Sequence, residues 1–396
     1  MGKAEIMRDS PDDVVIVAAK RTPMTKAKKG GLAKARYEDM LSQVLSATMK
    51  AGKVDPNLIE DVCVGTVRTP RGGASISRMA ALAAGIPYTS SVSTCNRQCS
   101  SSLQAIWTIS NEIRQGDIDV GIAAGCESMT HHYVPKPLDH PHSAVVASHQ
   151  LASDCLIPMG LTNENVAEEN GLSRKELDEF AASSYQKAER AQKAGKFEHE
   201  IIPVSIEGVT VSTDDGIRYG TTAESLSGLK PSFKENGTTH AGNASQITDG
   251  AAAVILARRS AAEKLGLPII GKVVKVLSAG VPPRIMGVGP AVAVPKLLQK
   301  TGLTPDDIDV FEINEAFAGQ ALHCAREIGL DMHRLNPNGG AIALGHPLGA
   351  TGARQVATGA AELQKRGGGL LVTSMCAGTG FGVAGLFEIK GGNSKL

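Results

Sequence analysis

Strand-like and helix-like patterns alternate from the amino terminus of the chain onward. Residues 14–19 (VVIVAA) form a short β-branched apolar run, which predicts a buried strand. Residues 37–51 have helical periodicity and stop at Gly52, a usual way for a helix to end. The same pattern predicts strands at 61–65 and 119–125 and helices at 73–84 and 100–115. This alternation indicates a mixed α/β protein.

The carboxyl-terminal part of the chain repeats this order. Residues 272–280 resemble the first strand, and residues 301–313 resemble residues 51–64. Three pairs of landmarks recur at a separation of about 250 residues: Gly52 with Gly302, Ile59 with Ile308, and Cys99 with His346. A repeat of this length predicts a duplicated half, and each half predicts an α/β sheet with mixed strands.

The pattern changes between the two halves. A long helix is predicted from Ser173, because Ser173 and Glu176 have the spacing of a capping box. Its apolar stripe, expected in the core, consists of Leu177, Phe180, Ala181, Tyr185 and Ala188. We predict that this segment is an insertion that covers the mouth of the first half. The predicted domains are residues 1–129 with 248–269 for the first half, 130–247 for the insertion, and 270–396 for the second half.

Composition and charge argue against several classes of function. The 396 residues include 41 basic and 40 acidic side chains, so no global field attracts the chain to nucleic acid or to an anionic membrane. No run approaches the roughly 18 apolar residues that a membrane span requires, so no membrane-spanning helix is expected. Seven cysteines, an odd number, predict free thiols in a reducing compartment. Five histidines lie within 131–149, but their spacing matches no metal site, and no metal is expected.

The last three residues match a targeting signal. Ser394-Lys395-Leu396 is the signal that a soluble receptor reads for import into peroxisomes. The sequence therefore predicts the peroxisomal matrix as the location, with the cytoplasm as the alternative.

Cys99 is the first candidate for chemistry. It is followed by small hydroxyl residues and then by a predicted helix, which places a thiol at a helix start. Unpaired N–H groups and the positive end of the helix dipole favour a thiolate there. The alternative is an inert thiol that packs as a small hydrophobic side chain.

Three further stretches carry candidate groups. His346 stands in a glycine-rich stretch before a proline, and the repeat places it where Cys99 stands in the other half. Cys376 ends a predicted strand and precedes Gly378, whose backbone N–H is suited to an oxyanion. Its alternative is a bulge with a buried thiol. Asn314 follows a strand and is suited to holding a water or a substrate oxygen, or to capping a helix.

Taken together, these motifs resemble one family of enzymes. They are NRQCSS at 96–101, GNAS at 242–245, NEAFA at 314–318, GGAIALGHPLGATGAR at 339–354 and CAGTGFG at 376–382. In this order and spacing the chain resembles the thiolases from Val14 to about Phe387. Within that family it is most similar to the 3-ketoacyl-CoA thiolases of peroxisomes, in part through Pro158 before Met159.

The resemblance implies a fold, an activity and partners. The implied fold is α/β, with two duplicated βαβαβαββ halves in a five-layer α-β-α-β-α arrangement and an inserted loop domain, in dimers or tetramers. The implied activity is the CoA-dependent cleavage of 3-ketoacyl-CoA to acetyl-CoA and a shortened acyl-CoA in fatty acid β-oxidation. The implied partners are coenzyme A, acyl-CoA substrates and the peroxisomal import receptor, with no metal or redox cofactor.

The resemblance also implies a role for each matching residue. Cys99 carries the acyl group as a thioester, and His346 takes the thiol proton and helps to bind the thioester oxygen. Asn314 holds the water of that oxyanion site. Cys376 is the acid and base at the carbon that leaves, and the N–H groups of Cys99 and Gly378 form a second oxyanion hole. Arg218, Ser245 and Met159 match positions for binding CoA.

The chain departs from the family pattern at a few positions. Ser102 stands where glycine is usual, and a side chain there is expected to crowd or tilt the helix after the nucleophile. Ala377 replaces a larger apolar residue, and Cys95 is unusual. A further hypothesis is a redox switch, between either Cys99 and Cys376 or Cys95 and Cys99. The alternatives are an acetoacetyl-CoA thiolase, a decarboxylating ketosynthase, and an inactive relative that binds acyl-CoA or lipid.

Overall fold

The computed structural model describes residues 2–133 and 143–392. The strands are β1 (Val14–Arg21), β2 (Thr25–Lys26), β3 (Asp61–Gly65), β4 (Ser91–Cys95), β5 (Val120–Ser128), β6 (Val204–Ile206), β7 (Val209–Val211), β8 (Thr248–Arg258), β9 (Gly271–Gly280), β10 (Val310–Ile313), β11 (Gly368–Ala377) and β12 (Phe381–Lys390). The predicted strands at 14–19, 61–65 and 119–125 are confirmed, although the first and third run a few residues further.

The helices follow the sequence pattern equally well. They are α1 (Lys3–Ile6), α2 (Tyr37–Ala51), α3 (Ala74–Ala83), α4 (Ser101–Gln115), α5 (Met129–His132), α6 (Ala144–Ala147), α7 (Gln150–Asp154), α8 (Met159–Glu169), α9 (Arg174–Lys193), α10 (Ala223–Ser227), α11 (Arg259–Lys264), α12 (Gly289–Thr301), α13 (Ala318–Ile328), α14 (Ala341–Leu344) and α15 (Thr351–Arg366). The predicted helices at 37–51, 73–84 and 100–115 are α2, α3 and α4.

The strands form two half-sheets with the same plan. In the first half-sheet the order is β4-β3-β5-β8-β1, with β3 parallel to both neighbours and β8 antiparallel to β5 and β1. In the second the order is β10-β11-β12-β9, with β10 parallel to β11 and β12 antiparallel to its neighbours. The duplication read from the sequence therefore appears as duplicated strand order.

The two half-sheets are joined at one edge. β1 and β9 pair antiparallel through Val15 with Lys272 and Ile16 with Gly271. The expectation of two separate sheets therefore needs a correction, because this short contact makes one continuous sheet. The contact is possible because β1 and β9 are the equivalent edge strands of the two half-sheets.

Three of the four hydrophobic cores among the described residues pack five layers together, and the fourth, smaller one surrounds Cys376. One core lies between the half-sheets and contains the apolar faces of α4 and α15. A second packs α2 and α3 against the other face of the first half-sheet. A third packs α9, α12 and α13 against the other face of the second. The order is helices, sheet, helices, sheet, helices, as predicted.

The segment between the halves is tied to the first half-sheet by a buried ion network. Arg21, at the end of β1, is fully buried and lies 2.5 Å from Glu200 and 2.7 Å from Asp214. Within the segment, the capping box of α9 is confirmed: the N–H of Ser173 donates to the Glu176 carboxylate at 2.8 Å. All five residues of its predicted apolar stripe are buried.

Some sequence features lie outside the described residues. Ser394-Lys395-Leu396, His140 and His142 are among them. Across residues 2–133 and 143–392, no cluster of three or more His, Cys, Asp or Glu side chains is suited to a metal ion. In the same ranges, every helix is too short or too polar to span a membrane.

Candidate active site

The turn between β4 and α4 presents Cys99. Gln98 has a left-handed backbone, with φ of 50°, and its N–H donates to the Asn96 side chain at 3.0 Å. The Ser101 hydroxyl donates to the carbonyl of Gln98 at 2.6 Å and accepts from the N–H of Arg97 at 3.0 Å. Local side-chain bonds of this kind hold a tight turn. They place Cys99 two residues before the first residue of α4.

Desolvation acts against a thiolate at the partly buried Cys99. Burial raises the pKa of the Cys99 thiol to about 11, while the backbone N–H groups of Gly378 and of Cys99 itself lower it only in part. The thiolate predicted at the helix start is therefore favoured by backbone N–H groups but opposed by burial. Desolvation of the charge outweighs the helix end, so the nucleophile needs a base.

His346 is a neutral base held by two partners. Its Nδ1 lies 2.6 Å from the hydroxyl of Thr351, in the first turn of α15. Its Nε2 lies 3.3 Å from the side-chain nitrogen of Asn314. Burial, followed by the nearby charge of Arg354, lowers the pKa of His346 to about 3. Nδ1 therefore donates to Thr351, and the Nε2 lone pair is the basic site.

Asn314 holds this ring and leaves an acceptor free. Its backbone N–H donates to Ser374 at 2.8 Å, and its carbonyl accepts from Gln320 at 3.1 Å. Within the described residues its side-chain oxygen is buried without a hydrogen-bond partner. A buried amide oxygen without a partner is a place for an ordered water or a substrate donor.

Cys376 and Gly378 approach Cys99 from the second half-sheet. Cys376 lies near the end of β11, opposite Gly382 of β12, and is fully buried. Burial, then the neighbouring thiols of Cys99 and Cys324, raises the pKa of Cys376 well above its usual value. The N–H of Gly378 is directed at the Cys99 sulfur. The two cysteines therefore lie near each other, one from each half.

The loops before α4 and α15 meet across the middle layer. The Glu127 carboxylate accepts from the N–H groups of Val67, Arg68 and Gly349, at 2.9, 2.9 and 3.0 Å. The hydroxyl of Ser102 accepts from the N–H of Ala353 at 2.9 Å. The Gly349 bond joins the first half to the loop that follows His346, and the Ala353 bond joins it to the first turn of α15. The described residues contain no hydrogen bond between the Cys99 sulfur and His346.

The repeat places His346 less exactly than the sequence suggested. Cys99 lies two residues before the first residue of α4, whereas His346 lies five residues before the first residue of α15. The structural counterpart of Cys99 is therefore Gly349. Both candidate groups stand in the loop before the duplicated helix, but not at equivalent positions.

The three residues predicted to bind CoA lie at different distances from this cleft. The N–H of Ser245 donates to the carbonyl of Ala316 at 2.9 Å, which places it beside Asn314. Met159 begins α8, next to Gly160, which lies against the ring of Phe233. Phe233 stacks edge-on against Phe317 at the rim of the cleft. Arg218 is exposed on the inserted segment, away from these contacts.

Two residues of the site were missed or misread in the sequence. Thr351 lies within the quoted motif, five residues after His346, and only the structure shows that it orients the imidazole. Ser102 was expected to crowd the turn. It instead fits against Gly125, where an added Cβ would lie 2.6 Å from the Cβ of Ser102. The glycine opposite makes room for the serine.

Cys95 faces a different thiol from the one expected. Its sulfur lies 3.8 Å from that of Cys63 on the adjacent strand and 3.2 Å from the carbonyl of Ser101. A pair of Cys95 with Cys99 therefore has no support in this geometry, and redox control of the site stays a prediction.

Comparison with known proteins agrees with this arrangement. The chain matches the family model "Thiolase, N-terminal domain" over residues 14–260 and "Thiolase, C-terminal domain" over 267–389. It is 52% identical to the peroxisomal 3-ketoacyl-CoA thiolase of Yarrowia lipolytica, over 97% of this chain and 95% of the relative. It is 49% identical to the human peroxisomal enzyme, over 96% and 92%.

Solved structures extend the likeness to three dimensions. The dimeric peroxisomal thiolase of Saccharomyces cerevisiae has a TM-score of 0.94 and 50% identity, covering 98% of this chain and all of that one (100%). Human mitochondrial 3-ketoacyl-CoA thiolase in complex with CoA has a TM-score of 0.88 and 36% identity, covering 96% and 98%. With the duplicated fold and its shared cleft, these matches show that the chain belongs to the thiolase family.

Proposed function

We propose that this protein is an acetyl-CoA C-acyltransferase that cleaves 3-ketoacyl-CoA with CoA in fatty acid β-oxidation. The observation that carries the proposal is that Cys99 from one half lies next to Cys376 and the N–H of Gly378 from the other, where Asn314 also bonds His346. Relatives about half identical over nearly the whole chain are named peroxisomal 3-ketoacyl-CoA thiolases, which supports it.

The first step is attack on the ketone. His346 Nε2 takes the proton of the Cys99 thiol, and the thiolate attacks C3 of the substrate. His346 is neutral in this state, and its Nε2 lone pair accepts from the amide N–H of Asn314, so this bond shifts when Nε2 takes the proton. The imidazolium that results is stabilised by the negative charge that develops on the substrate oxygen.

The second step breaks the bond between C2 and C3. The acetyl-CoA enolate leaves, and Cys376 protonates its carbon. The shortened acyl group remains on Cys99 as a thioester. Cys376 then takes the thiol proton of an incoming CoA, whose sulfur attacks the thioester and releases the shortened acyl-CoA. Cys99 regains the proton held by His346, so the enzyme returns to its initial state.

Two sets of donors stabilise the oxyanions. The N–H groups of Cys99 and Gly378 serve the ketone oxygen, and their approach to the Cys99 sulfur supports this. His346 and a water on Asn314 serve the thioester oxygen of acetyl-CoA, and the unpaired amide oxygen of Asn314 supports this. One such donor contributes about 3 kcal/mol to transition-state stabilisation.

The inserted segment is the proposed site for CoA. Ser245 and Met159 border the cleft and are assigned to the pantetheine arm, while Arg218 on the exposed surface is assigned to a phosphate.

The proposed division into residues 1–129 with 248–269, 130–247 and 270–396 is supported by β8, which pairs with β1 and β5. No cofactor other than the substrate CoA is part of the proposal.

The proposed setting is the peroxisomal matrix. The relatives from Yarrowia lipolytica and human that are about half identical to this chain are peroxisomal, and Ser394-Lys395-Leu396 is the proposed ligand of the import receptor. The proposed assembly is a homodimer, formed through the exposed edge strand β4. Its residues alternate between exposed and half-buried, and Met79 and Tyr88 beside it are 63% and 83% exposed. An open edge of this kind is a place for pairing.

Thiolysis over a series of acyl chain lengths tests the activity. We expect CoA-dependent loss of 3-ketoacyl-CoA by the full chain, with no acyl-enzyme in Cys99→Ser. Cys376→Ala is expected to lose proton exchange at C2 of acetyl-CoA while retaining some acylation. Cys155→Ser removes another partly buried thiol and serves as the control. Absence of thiolysis at every chain length contradicts the proposal, and activity confined to the four-carbon substrate favours an acetoacetyl-CoA thiolase.

A further inference from the structure

The two helices that begin at the catalytic cleft touch at their first turns. Ser102 lies in the first turn of α4, three residues after Cys99, and Ala353 lies in the first turn of α15. The backbones are in close contact there, since a Cβ added to Gly352 would lie 2.5 Å from the nitrogen of Leu103. A small shift of one helix is therefore passed directly to the other.

One side chain bridges this contact. The fully buried hydroxyl of Ser102 accepts from the N–H of Ala353 at 2.9 Å. The N–H groups of a helix's first turn have no partner within the helix, and the residue before α15, Ala350, has no side chain that caps them. Ser102 thus caps α15 from the opposite half of the molecule.

The bond between Ser102 and Ala353 lies close to the candidate base, His346. Ala353 lies two residues after Thr351, whose hydroxyl contacts His346 Nδ1 at 2.6 Å and also donates to the carbonyl of Pro347 at 3.2 Å. On the other side, α4 continues directly from the turn that presents Cys99. The Ser102 bond therefore fixes the start of the nucleophile's helix to the start of the base's helix.

We propose that Ser102 is a positioning residue that sets the distance between Cys99 and His346 across the two halves of the chain. This inference rests on the proposed roles of those two residues. Ser102 does not touch the substrate in this scheme, because it lies buried between α4, β5 and α15. Its effect is on the geometry of proton transfer and attack, where an error of 1 Å costs up to about a hundredfold in rate.

Two substitutions of Ser102 separate a positioning role from a structural one. We expect Ser102→Gly to be the faster variant and Ser102→Ala to be the more stable one. Ser102→Ala removes the acceptor but leaves a methyl group beside the Ala353 N–H. Ser102→Gly also opens space for a water, which the N–H of Ala353 and the nearby carbonyl of Gly349 are placed to bind. Glycine is the poorer helix residue by about 1 kcal/mol, so a purely structural role makes Ser102→Gly the worse variant.

The test compares both variants with Ser110→Ala in the full chain. Ser110 is equally buried on α4, but its hydroxyl bonds within the helix to Ile106. We expect kcat for thiolysis to fall about tenfold in Ser102→Ala, with KM for CoA unchanged, and to fall less in Ser102→Gly. Unfolding in urea ranks the stabilities of the three variants. The proposal is overturned if Ser102→Ala matches Ser110→Ala in kcat, or if the rates follow the stabilities.

A second readout is independent of the substrate. Alkylation of Cys99 by iodoacetamide, followed on its own peptide by mass spectrometry, reports thiol activation without any acyl-CoA. We expect this rate at pH 8 to fall at least about threefold in Ser102→Ala and to stay unchanged in Ser110→Ala. If the wild type lacks thiolysis but this difference holds, the proposed function fails and the positioning role stands. Equal alkylation rates overturn the positioning role.

Discussion

For Cys99, the neighbouring sequence predicts the local structure but not the pKa of the thiol. The turn and the helix after it are evident in the sequence, and the structure has both. The charge state is not evident, because it depends on how much water reaches the sulfur. Burial between the two halves raises the pKa of the Cys99 thiol to about 11, although two N–H groups face it. The sequence predicts the helix start, and only the packing shows that a base is required.

This pKa predicts the pH dependence of Cys99 alkylation in the substrate-free protein. Below a pKa of about 11 the thiolate fraction rises tenfold with each pH unit, so the rate is expected to climb steadily from pH 7 to pH 10. A short peptide with blocked ends and one cysteine, whose thiol has an ordinary pKa near 8.5, levels off within this range and provides the reference. A rate for Cys99 that is already constant by pH 9 contradicts the prediction.

Helices and strands were the features most accessible from the sequence. The limits of α2 and β3 agree with the predicted ranges because their apolar periodicity, turns and glycine exits all agree. The correspondence between Cys99 and His346 was less exact, by three residues, because the loops before α4 and α15 have different conformations. A repeat in sequence locates equivalent helices well and equivalent loop residues poorly.

The capping box of α9 leads to a prediction at the scale of one element. The Ser173 hydroxyl accepts from the N–H of Glu176, so Ser173→Ala is expected to lower the free energy of unfolding by about 1 kcal/mol. Activity is expected to stay at the wild-type level, because the exposed Ser173 side chain bonds only to Glu176 in the first turn of α9. Urea unfolding measures the change, and Ser227→Ala, an exposed serine near the end of α10, is the control. Equal stability of the two variants speaks against the cap.

At the scale of the whole molecule, the exposed surface around β4 predicts the assembly. Met79 and Tyr88 project from this face, and the strand beside them has an open edge. We expect the double variant Met79→Glu, Tyr88→Glu to sediment as a monomer at concentrations where the wild type is a dimer, because burying two carboxylates opposes association. Val209→Glu, at a site equally exposed on β7, is expected to leave the dimer intact. A wild type that sediments as a monomer excludes the proposed assembly.

The sequence by itself determined the order of strands and helices, the duplication and the identity of the candidate groups. These follow from local periodicity, from turn residues and from motifs whose spacing is preserved along the chain. The tertiary structure alone decided the joining of the half-sheets through β1 and β9, the pKa shifts of Cys99 and His346, and the bond between Ser102 and Ala353. Desolvation and contacts between residues about 250 positions apart depend on how the two halves pack, and no local pattern records that packing.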